Sequence, residues 1–259
     1  MILSISLTIL LAELCYSALH SHGSFHPLEN YNSDLFEGDI LLRNGTFGKD
    51  RYATTHKGLR WPNGIVPYIL DEIYSESDIE LIRSTMDKFE KHTCIKWVER
   101  TDEDDYVEIY SDMGCFSELG KVGGVQSLSL ESDTCMKKGV ILHEMMHSLG
   151  FLHEQTRYDR DDHVRVLWDN IVPGMEPNFS KMRPSEIDLL DLGYDYESIM
   201  HYGAYMFALD RSLPTLKPSN EHVPLRQLGY GQAQGVFSEL DIQKINKFYE
   251  CDLQTNVSS

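Results

Sequence analysis

The stretch Val140-Ile-Leu-His-Glu-Met-Met-His-Ser-Leu-Gly-Phe-Leu-His-Glu154 carries three histidines in fifteen residues. On an α-helix, His143 and His147 lie one turn apart on the same face, so both imidazoles can reach one metal ion. Gly150 can adopt the left-handed conformation that ends a helix, after which the chain can turn back and present His153. Three neutral nitrogens leave one open position on a tetrahedral zinc ion, which is typical of a catalytic site.

Glu144 follows the first of these histidines and can hold a water molecule at the ion. A zinc ion lowers the pKa of its water towards about 7 and polarises a carbonyl group. Glu144 can then accept the proton of that water and deliver it to a leaving amine. We therefore predict a hydrolase with one zinc ion and Glu144 as its general base. The apolar residues around the motif are expected to pack in the core: Val140, Ile141, Leu142, Met145, Met146 and Leu149.

Upstream of the motif, apolar patterns predict strands and one amphipathic helix. The expected strands are 65–70, 95–98, 106–110 and 125–130. The helix should open with a capping box at Ser77-Asp-Ile-Glu80 and bury a stripe that contains Ile79, Ile82, Met86 and Phe89.

The helix that carries the histidines should run from about Met136 to Leu149. Residues 155–237 are expected to form mostly loops, and a last helix should open at Ser238 and bury Ile242, Ile245 and Phe248. Strands that precede irregular structure predict an α+β enzyme whose two lobes enclose a cleft.

The N-terminal residues indicate export. The run Met1–Ala12 is apolar and small residues follow it, which predicts a signal peptide, residues 1–17, cleaved after Ser17. A buried N-terminal strand or helix is the alternative. Residues 18–51 lack a periodic apolar pattern and are expected to be an extended pro-segment. No later stretch is long and apolar enough to span a bilayer.

Charge and cysteine usage fit an extracellular chain. The net charge of −18 repels phosphate backbones and anionic lipids, so nucleic acids and acidic membranes are excluded as partners. Removal of the leader takes Cys15 and leaves an even set of cysteines, which predicts two disulfides: Cys94, Cys115, Cys135 and Cys251. Three glycosylation sequons agree with secretion: Asn44, Asn178 and Asn256.

The pattern HExxHxxGxxH is the metzincin signature, and with Glu154 after the third histidine the chain resembles the astacin family. Ser198-Ile-Met-His-Tyr202 resembles the Met-turn of that family. The resemblance implies that Met200 forms a hydrophobic floor beneath the zinc and that Tyr202 stabilises the tetrahedral oxyanion. It also implies a metzincin-like fold with a mixed sheet and the active-site helix in the N-terminal lobe, and a mostly irregular C-terminal lobe that ends in a helix.

Phe36-Glu-Gly-Asp39 resembles the pro-segment switch of the family, in which the aspartate occupies the water position and keeps the enzyme latent. Arg43 and Arg51 are the basic sites at which a trypsin-like protease could release Asp39. Cleavage after Arg51 would leave residues 52–259 as an astacin-like metallopeptidase domain, whose new N-terminus, Tyr52, would meet Glu154.

Two further expectations rest on the resemblance, which covers residues 36–251. One is the disulfide pairing Cys94–Cys251 and Cys115–Cys135. The other concerns the substrate side chains that the cleft prefers. Ala233 stands where many members carry arginine, so the resemblance leaves this preference open. His163 and the bulky Tyr52 also depart from the family pattern.

We therefore predict a secreted, zinc-dependent endopeptidase that is made as a latent zymogen and hydrolyses peptide bonds of proteins. The alternatives are a zinc-binding module without catalysis, another metzincin such as a snake-venom-like protease, and a zinc hydrolase that acts on non-peptide substrates. A venom-like protease would usually carry aspartate at the position of Glu154. The physiological substrate and the oligomeric state stay open.

Overall fold

The computed structural model describes residues 35–43 and 57–251 of the 259-residue chain. The predicted signal peptide, most of the predicted pro-segment, the Arg51–Tyr52 bond and the sequons at Asn44 and Asn256 lie outside the described residues.

A mixed sheet is the frame of the N-terminal lobe. Within the described residues its strands lie in the order β1 (Ile40–Leu41), β5 (Cys115–Glu118), β6 (Val125–Leu130), β4 (Tyr106–Tyr110), β2 (Ile65–Leu70) and β3 (Lys96–Glu99). Strands β5 and β6 are antiparallel, whereas the other neighbours are parallel. The predicted strands 65–70, 106–110 and 125–130 are confirmed, and the strand predicted at 95–98 lies one residue further on.

Helix α1 (Glu76–His92) packs against this sheet, and its buried stripe contains Ile82, Met86 and Phe89. The predicted capping box at Ser77 is wrong. The helix begins two residues earlier, and its capping box is formed by Ser75 and Asp78. The Ser75 hydroxyl accepts from the backbone N–H of Asp78, whose carboxylate accepts from the N–H of Ser75. The buried Tyr74, whose hydroxyl donates to Leu130 O at 2.9 Å, anchors the chain directly before this cap.

Helix α2 (Lys138–Ser148) carries the first two histidines and is slightly shorter than predicted. All of its residues from Gly139 to Ser148 are buried, so it is enclosed on every side. Gly150 ends it with φ of 100°, a left-handed conformation that favours glycine, and the Gly150 N–H donates to His147 O at 2.8 Å. The chain then reverses and returns His153 towards α2.

The C-terminal lobe consists mostly of turns and short 3₁₀ segments, as predicted. Its regular elements in the described residues are the antiparallel pair β7 (Val164–Val166) and β8 (Leu216–Pro218), the short helix α3 (Tyr230–Gln234) and the last helix α4 (Glu239–Tyr249). Helix α4 opens at Ser238 as predicted. It packs against the N-terminal lobe, and its residues Ile245 and Phe248 belong to the main core of that lobe.

Two disulfides fasten these elements. Cys94–Cys251 joins the end of α4 to the first lobe with 5.3 Å between Cα atoms, and Cys115–Cys135 joins β5 to the segment before α2 with 5.8 Å. They therefore tie β5 and α4 to the N-terminal lobe that carries α2.

The sequon at Asn178 is a poor glycosylation site. The Asn178 residue is 3% exposed, so a glycan there would have to displace the packing of the C-terminal lobe. A sequon is defined by three residue types and does not report whether the asparagine is buried, so the sequence alone could not exclude Asn178. Among the helices of residues 35–43 and 57–251, none has the length and apolarity required to cross a bilayer.

Candidate active site

Three imidazoles converge between the lobes. His143 and His147 come from consecutive turns of α2, and His153 comes from the reversed chain after Gly150. Each is at most 1% exposed. The Nε2 atoms of His143 and His153 lie 3.1 Å apart, and the ring centroids of His143 and His147 are separated by 4.8 Å. The structure thus brings together the three residues that the motif singled out.

Each ring is oriented through its Nδ1 atom. Nδ1 of His143 donates to Ile199 O at 2.8 Å, and Nδ1 of His147 donates to Phe151 O at 2.7 Å. Nδ1 of His153 donates to the carboxylate of Glu37 at 2.8 Å. Because these oxygens only accept, the proton of each neutral ring belongs on Nδ1, which leaves the three Nε2 lone pairs for a metal.

Asp39 contacts all three rings. Its Oδ2 lies 3.1 Å from Nε2 of His143 and 3.2 Å from Nε2 of His153, and its Oδ1 lies 3.3 Å from Nε2 of His147. A tight turn delivers it: Phe36 and Ile40 exchange backbone hydrogen bonds of 2.9 Å. Gly38 enters this turn with φ of 89°, which a side chain would strain.

Electrostatics differ between the two carboxylates of the site. Burial raises the pKa of Asp39, but the adjacent imidazole groups of His153, His147 and His143 outweigh it, so the pKa lies well below its ordinary value. Burial raises the pKa of Glu144 well above its ordinary value, and the charge of Asp39 adds to the shift. Asp39 is therefore held as the anion that faces the imidazoles.

The donor set fits a zinc ion. One ligand atom from each of Asp39, His143, His147 and His153 lies within 4.8 Å of the others. Three imidazole nitrogens and one carboxylate oxygen are zinc ligands in tetrahedral sites. Among the described residues, Nε2 of His147, Oδ1 of Asp39 and Oε2 of Glu144 are buried without a hydrogen-bond partner. Buried polar atoms rarely stay unpaired, and a metal held here would satisfy the first two.

The turn that contains Met200 is held by Asp241 of α4. The Ser198 hydroxyl donates to Asp241 Oδ1 at 2.6 Å, and the Ile199 N–H donates to Oδ2 at 2.9 Å. Because Ile199 O orients His143, Asp241 supports this candidate metal ligand through the backbone of Ile199. Met200 is 2% exposed and donates no ligand atom; its carbonyl accepts from the Glu154 N–H at 2.9 Å.

Tyr202 lies against the third histidine, with ring centroids 4.7 Å apart. Its backbone N–H donates to Gln155 Oε1 at 3.0 Å, and its hydroxyl donates to the carbonyl oxygen of Glu37. The segment that carries Asp39 therefore also engages the Tyr202 hydroxyl.

Glu154 is buried, with 5% exposure, and is not a solvated charge. It accepts from Lys244 Nζ at 2.6 Å, from Arg157 Nη1 at 3.0 Å and from the Asp195 N–H at 2.9 Å. Burial raises its pKa, but these cations and this N–H outweigh burial, so the pKa lies below its ordinary value. Its pairing with a new N-terminus stays a prediction, because residues 44–56 lie outside the described part of the chain.

The sequence patterns assigned no role at the site to three of its residues: Glu37, Asp241 and Lys244. Asp241 had a signal, since Ser238-x-x-Asp241 is a capping box, but that signal indicates a helix start and not a support for Met200. Glu37 and Lys244 act over 116 and 90 residues of sequence separation, and no local pattern reports such contacts.

Comparisons with known proteins place this site in a family. The family model described as Astacin (Peptidase family M12A) matches residues 53–250. Zinc metalloproteinase nas-15 of Caenorhabditis elegans is 42% identical over 241 residues, which cover 86% of this chain and 41% of the relative. Astacin-like metalloendopeptidase of Gallus gallus is 44% identical over 236 residues, which cover 88% of this chain and 55% of the relative.

A solved structure agrees. High choriolytic enzyme 1, a hatching enzyme zinc-protease from Oryzias latipes, superposes with a TM-score of 0.68 at 37% identity, over 82% of this chain and 100% of that chain. The chain spans about half the length of the curated relatives named above, 41% and 55%. With the histidine geometry and a family model that matches residues 53–250, the chain belongs to the astacin family, peptidase family M12A.

Proposed function

We propose that the chain is a secreted, zinc-dependent endopeptidase that is made latent and acts after its pro-segment is removed. The observation that carries the proposal is the convergence of three buried imidazoles with Asp39, beside Glu144 on the same helix. The names of relatives that are zinc metalloproteinases support the assignment of the reaction class.

His143, His147 and His153 would hold the zinc through Nε2. When bound, the ion would acidify a water molecule and polarise the substrate carbonyl. Glu144 accepts the proton of the attacking water and transfers it to the leaving amine. Its position suits that role, because it is 2% exposed, follows His143 directly, and has an unpartnered Oε2.

The edge of β5 that β1 covers would hold the substrate backbone after β1 is removed. In the uncleaved chain β1 pairs with this edge in parallel, with Ile40 opposite Ser117 and Leu41 opposite Glu118. Removal of β1 exposes the edge to a peptide, which can add as a strand. The Tyr202 hydroxyl, released from the Glu37 carbonyl, would then donate to the developing oxyanion.

Latency follows from the same contacts, because Asp39 and β1 occupy the positions that water and substrate need. Cleavage after Arg51 by a trypsin-like protease would remove them. Arg43 is the weaker candidate, since its guanidinium is bound to Glu118 and would have to leave this carboxylate to enter the pocket of a protease. The new ammonium of Tyr52 would join Glu154 and compete there with Lys244.

Secretion is supported by the apolar run Met1–Ala12 and by the two disulfides, which persist in oxidising compartments. The test of the whole proposal is a cleavage assay. The full chain is processed by trypsin, purified and incubated with a denatured protein mixture, and the new peptide termini are identified by mass spectrometry. We expect internal cleavages that stop on chelation and return with zinc. The absence of chelator-sensitive cleavage would contradict the proposal.

Replacement of Tyr202 by phenylalanine should lower kcat while KM changes little. One oxyanion donor is typically worth about 2.7–4 kcal/mol, or roughly a hundred- to a thousandfold in rate. The ring stays packed against His153, so the fold should not change. Steady-state kinetics of the processed variant check this, with Tyr230→Phe in the exposed part of α3 as the matched control. A Tyr202→Phe enzyme with wild-type kcat would exclude the hydroxyl from the reaction.

A further inference from the structure

Glu118 ends strand β5 and is an acidic residue with unusual burial. Its side chain is 3% exposed, and it lies on the strand that β1 covers at the edge of the sheet. Oε2 accepts from the backbone N–H of Ser127 on β6 at 2.8 Å. A buried carboxylate is costly unless charges or hydrogen bonds compensate it, and one N–H is not a full compensation.

Arg43 supplies the rest. Its Nε donates to Glu118 Oε1 at 2.8 Å and its Nη2 donates to Oε2 at 2.9 Å, a bidentate pair. Its Nη1 donates to Gly123 O at 3.0 Å, and Nη2 also donates to Val125 O at 2.5 Å. The carboxylate and the two carbonyl groups thus surround a single planar guanidinium. Lysine cannot reproduce this arrangement, since its ammonium lacks the fork.

All of these acceptors belong to β5, β6 and the turn between them, whereas Arg43 belongs to the segment that activation would remove. The acceptors lie on the edge that β1 occupies, where Leu41 pairs with Glu118. Arg43 follows Asp39 by four residues, which an extended chain spans in roughly 13 Å. The guanidinium site therefore lies on the path that a peptide would follow away from the histidines.

We propose that Glu118, with the carbonyl oxygens of Gly123 and Val125, is an arginine subsite of the substrate cleft. Arg43 fills it in the uncleaved chain, and an arginine side chain of the substrate fills it after processing. This proposal rests on the proposed peptidase function. Loss of Arg43 leaves Glu118 with the Ser127 N–H as its partner among the contacts described above, so an incoming guanidinium restores the pairing. Glu118 is then a specificity-determining residue, selective for arginine over lysine.

Cleavage profiling tests the specificity. The processed full chain, its Glu118→Gln variant and the matched control Glu80→Gln, an exposed residue of α1, are given the same peptide library. The wild type and Glu80→Gln should favour arginine over lysine and norleucine at one position about three to five residues from the cleaved bond. Glu118→Gln should lose roughly ten- to a hundredfold of that preference, because a charge-assisted bidentate contact is removed.

Peptide binding tests the subsite without hydrolysis. A fluorescent peptide with the sequence of residues 35–43 is titrated into each processed protein, and its Arg43→norleucine version is titrated in parallel. The change in the peptide should weaken binding roughly ten- to a hundredfold for the wild type and Glu80→Gln, and less than about threefold for Glu118→Gln, because the two changes remove one shared contact.

The outcomes separate the two proposals. Hydrolysis without an arginine preference, or a preference that Glu118→Gln keeps, overturns the subsite and leaves the peptidase function intact. The subsite is also overturned if the norleucine change weakens peptide binding equally in the wild type and in Glu118→Gln. If no peptide is hydrolysed, the peptidase function fails, and the substrate role of Glu118 fails with it.

Discussion

Replacement of Glu144 by glutamine is expected to reduce kcat of the processed chain by up to about ten-thousandfold, the upper range for loss of a general acid–base group. The side chain is 2% exposed and lies on α2 directly after His143. Glutamine has the same shape but cannot accept a proton. The variant should therefore keep its fold and its zinc while it loses turnover.

Three measurements on this variant decide the point: kcat on a quenched peptide, zinc per chain, and the midpoint of thermal unfolding. The Glu80→Gln change on the exposed face of α1 removes the same charge far from the histidines and should leave all three unchanged. A Glu144→Gln protein that binds zinc and turns over at the wild-type rate would show that Glu144 is not the base.

Replacement of Asp39 by alanine is expected to make the uncleaved chain active. The Asp39 carboxylate contacts three imidazoles at 3.1, 3.2 and 3.3 Å. The carboxylate lies where the attacking water must bind, so its loss should raise the activity of the uncleaved chain clearly above background. The rate should stay below that of the processed enzyme, because β1 still covers the edge of β5 and Arg43 still binds Glu118.

This comparison needs a background in which cleavage at the favoured site is blocked, and Arg51→Gln supplies it. Asp39→Ala in that background is compared with Asp104→Ala, an exposed acidic residue before β4. The chain lengths of both proteins are checked by mass spectrometry after the assay. If intact Asp39→Ala chains stay as inactive as the control, another part of the pro-segment is the inhibitor.

The sequence predicted those parts of the fold whose burial follows a local period. Strands β2, β4 and β6 and helix α4 are examples, since apolar residues alternate or recur on one face. Strand β5 was missed because it has only four residues, and its buried second half, Ser117 and Glu118, is polar. Ser117 is buried through a 2.7 Å hydrogen bond to Ser148, and Glu118 through Arg43, which lies 75 residues away in sequence.

The same distinction applies to the site. The three histidines and Glu144 lie within eleven residues, so their geometry follows from one helix and one glycine turn. The groups that orient them come from distant segments: Glu37 for His153, and Asp241 through Ile199 for His143. Only the folded chain brings these residues together, and no fixed spacing in a single sequence indicates that they are in contact.

Metal content is the most direct test of the central claim that His143, His147 and His153 hold one catalytic zinc. The processed protein is purified without added metal and assayed by plasma mass spectrometry, beside His147→Ala. We predict about one zinc per wild-type chain, with activity that is lost on chelation and restored by zinc, and little zinc in His147→Ala. A wild-type protein with zinc content near zero, or with full activity after exhaustive chelation, would contradict the account.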